Sequence, residues 1–134
     1  MRRPTSVILT IVSTLFLTMA VYRGQAAEPR VIEIIATSDN LFRVVGSKKP
    51  VITARPGETL QLRVTVQAHK SATTPTVHSL TIKELEDRGW NVLLFEGTKT
   101  YTLVAPEEPG KYVFECIVMC GDGHDDMRGK LVVK

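Results

Sequence analysis

The chain has 134 residues, one domain's worth, with 17 Lys and Arg, 14 Asp and Glu, and only two Cys. Three of the basic side chains, Arg2, Arg3 and Arg23, fall within the first 26 residues, and every acidic one falls after them, so residues 27–134 carry 14 of each sign. That balance excludes the basic surface on which nucleic-acid binding depends, and nucleic acid is not an expected partner.

Arg2 and Arg3 precede an uncharged apolar run, Val7 to Val21, and Gly24-Gln25-Ala26 supplies small residues for a signal peptidase. The run is shorter than the roughly 20 residues of a bilayer span. Residues 1–26 therefore read as a signal peptide and residues 27–134 as the exported domain, with an uncleaved N-terminal anchor facing the periplasm as the alternative. No cysteine lies near the cut, which excludes a lipoprotein anchor, and Arg2-Arg3 lacks the surroundings of a twin-arginine signal.

Beyond the leader the pattern is of strands and turns. Val31 to Ala36 is a β-rich run, broken by Ser38-Asp39-Asn40 and resumed from Leu41 to Val45. Gly46 to Pro50 is a loop, Val51 to Ala54 a short extended run, and Pro56-Gly57 a turn. Thr59 to Ala68 alternates with period two: Leu60, Leu62, Val64 and Val66 on one face, Gln61, Arg63, Thr65 and Gln67 on the other. His69 to Thr76 is polar loop, and Val77 to Lys83 is a strand. Glu84 to Asn91 is polar with room for a helical turn. Thr98 to Val104 alternates, Pro106 to Gly110 turns, and Lys111 to Cys116 and Gly129 to Val133 are the last strands. Short strands with Pro/Gly turns and no sustained helical period predict an all-β sandwich or barrel.

The chemistry concentrates between the last two strands, in Cys116-Ile-Val-Met-Cys120-Gly-Asp-Gly-His124-Asp-Asp-Met127-Arg-Gly129. Two thiols, an imidazole and a thioether within twelve residues are soft or borderline donors that suit copper. Gly121 and Gly123 relax the backbone before His124, and Gly129 permits a sharp re-entry into the final strand. His78, at the start of a strand, is the candidate for a further donor. His69 reads as solvated. A plain disulfide between Cys116 and Cys120 is the competing reading of the two thiols in an exported chain.

Cys116-x3-Cys120-x3-His124-x2-Met127, with Val77-His78-Ser79 upstream, resembles the CuA domain of cytochrome c oxidase subunit II; the copper domain of nitrous oxide reductase carries the same loop. The likeness is close over Lys111 to Val133 and loose over Val51 to Lys83. It implies a cupredoxin-like Greek-key β-sandwich holding two copper ions. By the resemblance Cys116 and Cys120 bridge the ions, His78 binds one and His124 the other, Met127 is a weak ligand, and the main-chain carbonyl of Val118 completes the set. The implied role is electron transfer, with a c-type cytochrome or a membrane oxidase or reductase as redox partner. Were the chain an oxidase subunit, it would form part of cytochrome c oxidase. Three features depart from the family. Many members carry Glu at the Val118 position, the loop before His78 is longer than expected, and the transmembrane hairpin common in subunit II is missing, with Val7 to Tyr22 a short candidate for a single anchor.

Other readings use the same residues. A mononuclear type 1 site needs two His, one Cys and usually a Met, and leaves Cys120 unexplained. Zinc would accept Cys116, Cys120, His78 and His124 and leave Met127 idle. A Cys/His nucleophile has no orienting acid in a known arrangement. A copper carrier or chaperone would be expected to be Met-rich, and beyond the leader only Met119 and Met127 remain. A catalytic copper site would need an open coordination position. Asp122, Asp125 and Asp126 read as a solvated acidic rim able to steer a basic partner.

Overall fold

A computed structural model describes residues 28–70, 73–119 and 123–134. The signal-peptide reading of residues 1–26 and the bridging role of Cys120 both fall outside the described residues. Among them, no helix is long and apolar enough to cross a membrane.

The strands are β1 (Arg30–Ala36), β2 (Phe42–Val44), β3 (Val51–Ala54), β4 (Thr59–Val66), β5 (Val77–Thr81), β6 (Asn91–Phe95), β7 (Gly97–Val104), β8 (Gly110–Glu115) and β9 (Arg128–Val133). Short 3-10 turns occupy Lys83–Arg88 and His124–Asp126. One sheet has the order β2-β1-β4-β7 and the other β3-β9-β8-β5-β6. β1 pairs parallel with β4 and β3 with β9; the remaining neighbours are antiparallel. This is the all-β sandwich that the turn spacing predicts.

The alternation in β4 has the expected consequence. Leu60, Leu62, Val64 and Val66 are all buried, whereas the intervening residues reach solvent. Each such side chain contributes about 2 kcal/mol by leaving water, an upper figure because the unfolded chain is itself partly collapsed. The facing sheet supplies Leu80, Leu94, Phe114, Leu131 and Val133. Phe42 of β2 and Phe114 of β8 meet edge to face, with centroids 5.4 Å apart, and pin the two sheets together.

One strand escapes the sequence pattern. Asn91–Phe95 lies at the edge of the five-stranded sheet, where Val92-Leu93-Leu94-Phe95 is an unbroken apolar run without alternation. Only Leu94 of β6 is fully buried; Leu93 and Phe95 face outward. Glu96 then carries the chain across to the other sheet, where β7 pairs with β4 over its whole length. The polar stretch before β6 does hold a helical turn, closed by Gly89 in the left-handed conformation. Trp90 anchors that corner: its indole N–H donates to the Val104 carbonyl at 2.8 Å.

Strand directions put β1, β4, β6 and β8 ends, and β5, β7 and β9 starts, at one end of the sandwich. Arg30, the first residue of β1, and Lys134 lie at the other end. His69, His78, Cys116, His124 and Met127 therefore share the end remote from Arg30.

Candidate metal centre

β5 and β8 are paired through Thr81 and Glu115, and there the pairing stops. Beyond it the two strands splay, and side chains replace the ladder. The Ile117 amide donates to Ser79 Oγ at 2.8 Å, and the Ser79 amide donates to Cys116 Sγ at 3.4 Å. The Cys116 amide donates instead to the Met127 carbonyl at 3.0 Å. Cys116 and His78 are both buried where the ladder stops.

His78 is fully buried, and its Nδ1 lies 3.9 Å from Cys116 Sγ. That separation suits a shared ion. First-row metal bonds of about 2.0 Å to nitrogen and about 2.3 Å to sulfur place two ligands roughly 3.5–4 Å apart at ordinary coordination angles. The same sulfur is 3.4 Å from the Val118 carbonyl oxygen. His78 Nε2 is buried and has no hydrogen-bond partner among the described residues. A buried imidazole left so costs about 1–3 kcal/mol, a poor choice for packing alone.

Burial pushes the His78 pKa down, and the nearby His69 and His124 push it further. The ring is therefore neutral at physiological pH, the form in which imidazole binds a metal. The same influence places all three histidines at one end of the molecule. His69 is half-buried, contrary to the expectation of a solvated residue, because its amide donates to Thr76 Oγ1 at 2.9 Å and draws the loop inward. Thr76 in turn donates its amide to the Glu96 carboxylate at 2.6 Å.

His124 begins the second 3-10 turn and is half-buried. Met127 ends the turn fully buried, in the same apolar cluster as Cys116. Asp125 and Asp126 are exposed, as an acidic rim requires, and the Arg128 guanidinium clasps the Asp125 carbonyl. Ile117 and Met119 stand exposed beside Cys116, Met119 at 88 %. Among the described residues no three His, Cys, Asp or Glu side chains form a metal-holding group by themselves. The donor set therefore needs softer and main-chain atoms, the Met127 sulfur and the Val118 oxygen, or residues outside the described segments. The residues present fit copper by donor chemistry: imidazole, thiol and thioether with a carbonyl oxygen.

Ser79 is the functional residue that sequence reasoning missed. It is fully buried and holds both the Cys116 sulfur and the amide that follows it. Its signal was a small polar residue directly after a candidate ligand inside an otherwise apolar strand.

No family model matches the chain, and no curated protein matches it. Solved structures do. A chain of a heme-copper terminal oxidase dimer is 21 % identical, with a TM-score of 0.58 over 96 % of this chain and 78 % of that one. Rusticyanin from Thiobacillus ferrooxidans is 18 % identical, with a TM-score of 0.54 over 81 % of this chain and 79 % of that one. The periplasmic domain of subunit II of cytochrome oxidase from Bradyrhizobium japonicum is 12 % identical, with a TM-score of 0.51 over 78 % of this chain and 83 % of that one. The chain thus has a cupredoxin-like fold and resembles the oxidase subunit II domain.

Proposed function

We propose that this chain is an exported copper-binding electron-transfer protein with a binuclear CuA-like centre, working as, or like, subunit II of a cytochrome c oxidase. The structural observation that supports a copper site is the buried, neutral His78, with Nδ1 3.9 Å from the Cys116 sulfur and the Val118 carbonyl oxygen 3.4 Å from that sulfur; the second ion rests on Cys120 at the spacing of the CuA loop. Cys116, Cys120, His78, His124, Met127 and the Val118 oxygen would hold the copper. Copper supplies reversible one-electron chemistry when bound.

The protein's part is to hold the donors still. Cys116 is fastened by its own amide to Met127 and by the Ser79 amide at its sulfur, so neither ligand strand needs to move when the charge changes. Exposed Ile117 and Met119 give a redox partner an apolar contact close to Cys116, and exposed Asp125 and Asp126 attract a basic one such as a c-type cytochrome.

A mononuclear type 1 site is the second reading, because the described donors His78, Cys116, His124 and Met127 are by themselves a type 1 set. Copper content and electron paramagnetic resonance separate the two. Two ions per chain with a mixed-valence signal, lost in both Cys116→Ser and Cys120→Ser, supports the binuclear centre. One ion with a four-line spectrum refutes it. Mixing the loaded protein with a reduced c-type cytochrome, and separately with a copper-free acceptor, tests the role. Rapid cytochrome oxidation with copper retained supports electron transfer; copper loss without electron exchange assigns the chain to copper trafficking. Intact mass of the exported form, expected to begin at Ala27, tests the leader against an uncleaved anchor.

A further inference from the structure

The loop between β1 and β2 belongs to the four-stranded sheet but is built against the metal loop of the other sheet. Thr37 closes it. The Thr37 amide donates to the Leu41 carbonyl at 2.9 Å, the Asn40 amide to the Thr37 carbonyl at 3.0 Å, and the Leu41 amide to Thr37 Oγ1 at 3.1 Å. Closure forces Asn40 to φ 58°, and among the described residues it is the one non-glycine in the left-handed region. Asn tolerates that conformation better than most residues. Yet Asn40 is also 0 % exposed, which a turn residue chosen only for its backbone would not need to be.

Gly123 lies next to it. A Cβ on Gly123 would lie 3.2 Å from the Asp39 carbonyl oxygen and 3.6 Å from Asn40 Cβ, and Gly123 is itself at φ 86°. Two left-handed residues, one from each of two loops, lie close enough here that even one methyl group on Gly123 would touch the Asp39-Asn40 turn. Gly123 opens the turn that presents the proposed ligands: the Asp126 amide donates to the Gly123 carbonyl at 3.0 Å and the Met127 amide to the His124 carbonyl at 3.1 Å. A single 3-10 turn of three residues does not hold its own position, since so short a segment gains too few hydrogen bonds for the backbone freedom it loses. Its position must come from what it leans on.

We infer that Asn40 is a positioning residue for the metal loop: its buried side chain, next to Gly123, holds His124 and Met127 in place from the opposite sheet. This rests on the reading of His124 and Met127 as metal ligands. The packing itself can be tested without metal.

The test is amide hydrogen exchange on the copper-free protein. Asn40→Gly keeps the positive φ and removes only the side chain. It should speed exchange at Asp126 and Met127 about tenfold and leave Leu62 in β4 and Leu131 in β9 unchanged. Gly123→Ala presses on the same contact from the other side and should accelerate the same two amides. Uniform acceleration throughout the strands, or no change at Asp126 and Met127 in either Asn40→Gly or Gly123→Ala, overturns the inference. Copper stoichiometry of the unaltered protein is a separate measurement and decides only the electron-transfer reading, so either can fail alone.

Discussion

Replacing Gly129 by alanine puts one methyl group where the structure has no room for it. The new Cβ would lie 2.5 Å from the Pro50 carbonyl oxygen and 2.5 Å from Phe114 Cε2, with Phe114 Cζ nearer still. Neither neighbour can give way cheaply. The Pro50 carbonyl is held by the Lys130 amide at 2.8 Å, and the Phe114 ring is fully buried with its other side against Phe42. Overpacking of this kind costs about 1–3 kcal/mol, and with backbone on one side and a wedged ring on the other we expect about 3 kcal/mol. For a domain of this size that lowers the unfolding midpoint by roughly 15 °C. The assay is thermal unfolding followed by circular dichroism, with Phe114→Leu made alone and in the Gly129→Ala background. Phe114→Leu alone should destabilise by about 2 kcal/mol, as buried aromatic truncations do, but should recover part of the loss in the double variant. A coupling of about 1–2 kcal/mol is expected, because the two side chains compete for one space. A midpoint within about 2 °C of the unaltered protein, or strictly additive losses, would refute the steric argument. Gly129 pairs with Phe114 two residues after Met127, so the displacement should also loosen the proposed copper site.

Glu58 accepts hydrogen bonds from the Arg30 side chain and the Arg55 amide, and these hold its carboxyl below the usual range. Its stabilisation is therefore present above the ordinary carboxylate pKa and lost as pH falls through the lowered one; Glu58→Gln should cost about 1 kcal/mol or less at pH 7, since Arg30 is half exposed, and flatten the acid limb of a urea-unfolding series below pH 4.5. Bound copper should stabilise the fold with the logarithm of its free concentration, by about 4 kcal/mol when that concentration is a thousandfold above the dissociation constant. His78→Asn should abolish that increment in calorimetry, and an undiminished increment would remove His78 from the site. Met127→Leu should retain copper but shift the reduction potential measured by voltammetry, as a weak ligand would. Val118→Ala should leave copper content unchanged, because the expected donor is its main-chain oxygen; an empty site would discount that donor.

Much of the architecture was legible in residue order alone. Period-two alternation assigned the buried face of β4 correctly, because a strand's side chains alternate whatever it packs against. The Pro/Gly turns bounded most strands to within a residue or two, since those residues restrict or free the backbone locally. The donor residues stood out because Cys, His and Met at such close spacing serve few purposes except soft-metal chemistry. What neighbours do was not legible. β6 is a strand because it covers the flank of β5, and its own apolar run has no period to announce that. His78 is neutral because β5 is enclosed on both faces, and His69 is drawn inward by Thr76, a bond between two ends of one loop. Gly129 looked like a hinge and is in fact a clearance for the Phe114 ring and the Pro50 carbonyl. Asn40 carries no motif, and Ser79 stood only as the neighbour of His78; each matters through an atom placed by another element. The sequence alone determined most of the strand content, and gave rise to the export-type leader and the candidate donors as expectations, because these depend on local periodicity and side-chain chemistry. The tertiary structure alone decided which donors meet, how dry they are and what holds their loop, because burial and contact are set by residues tens of positions apart.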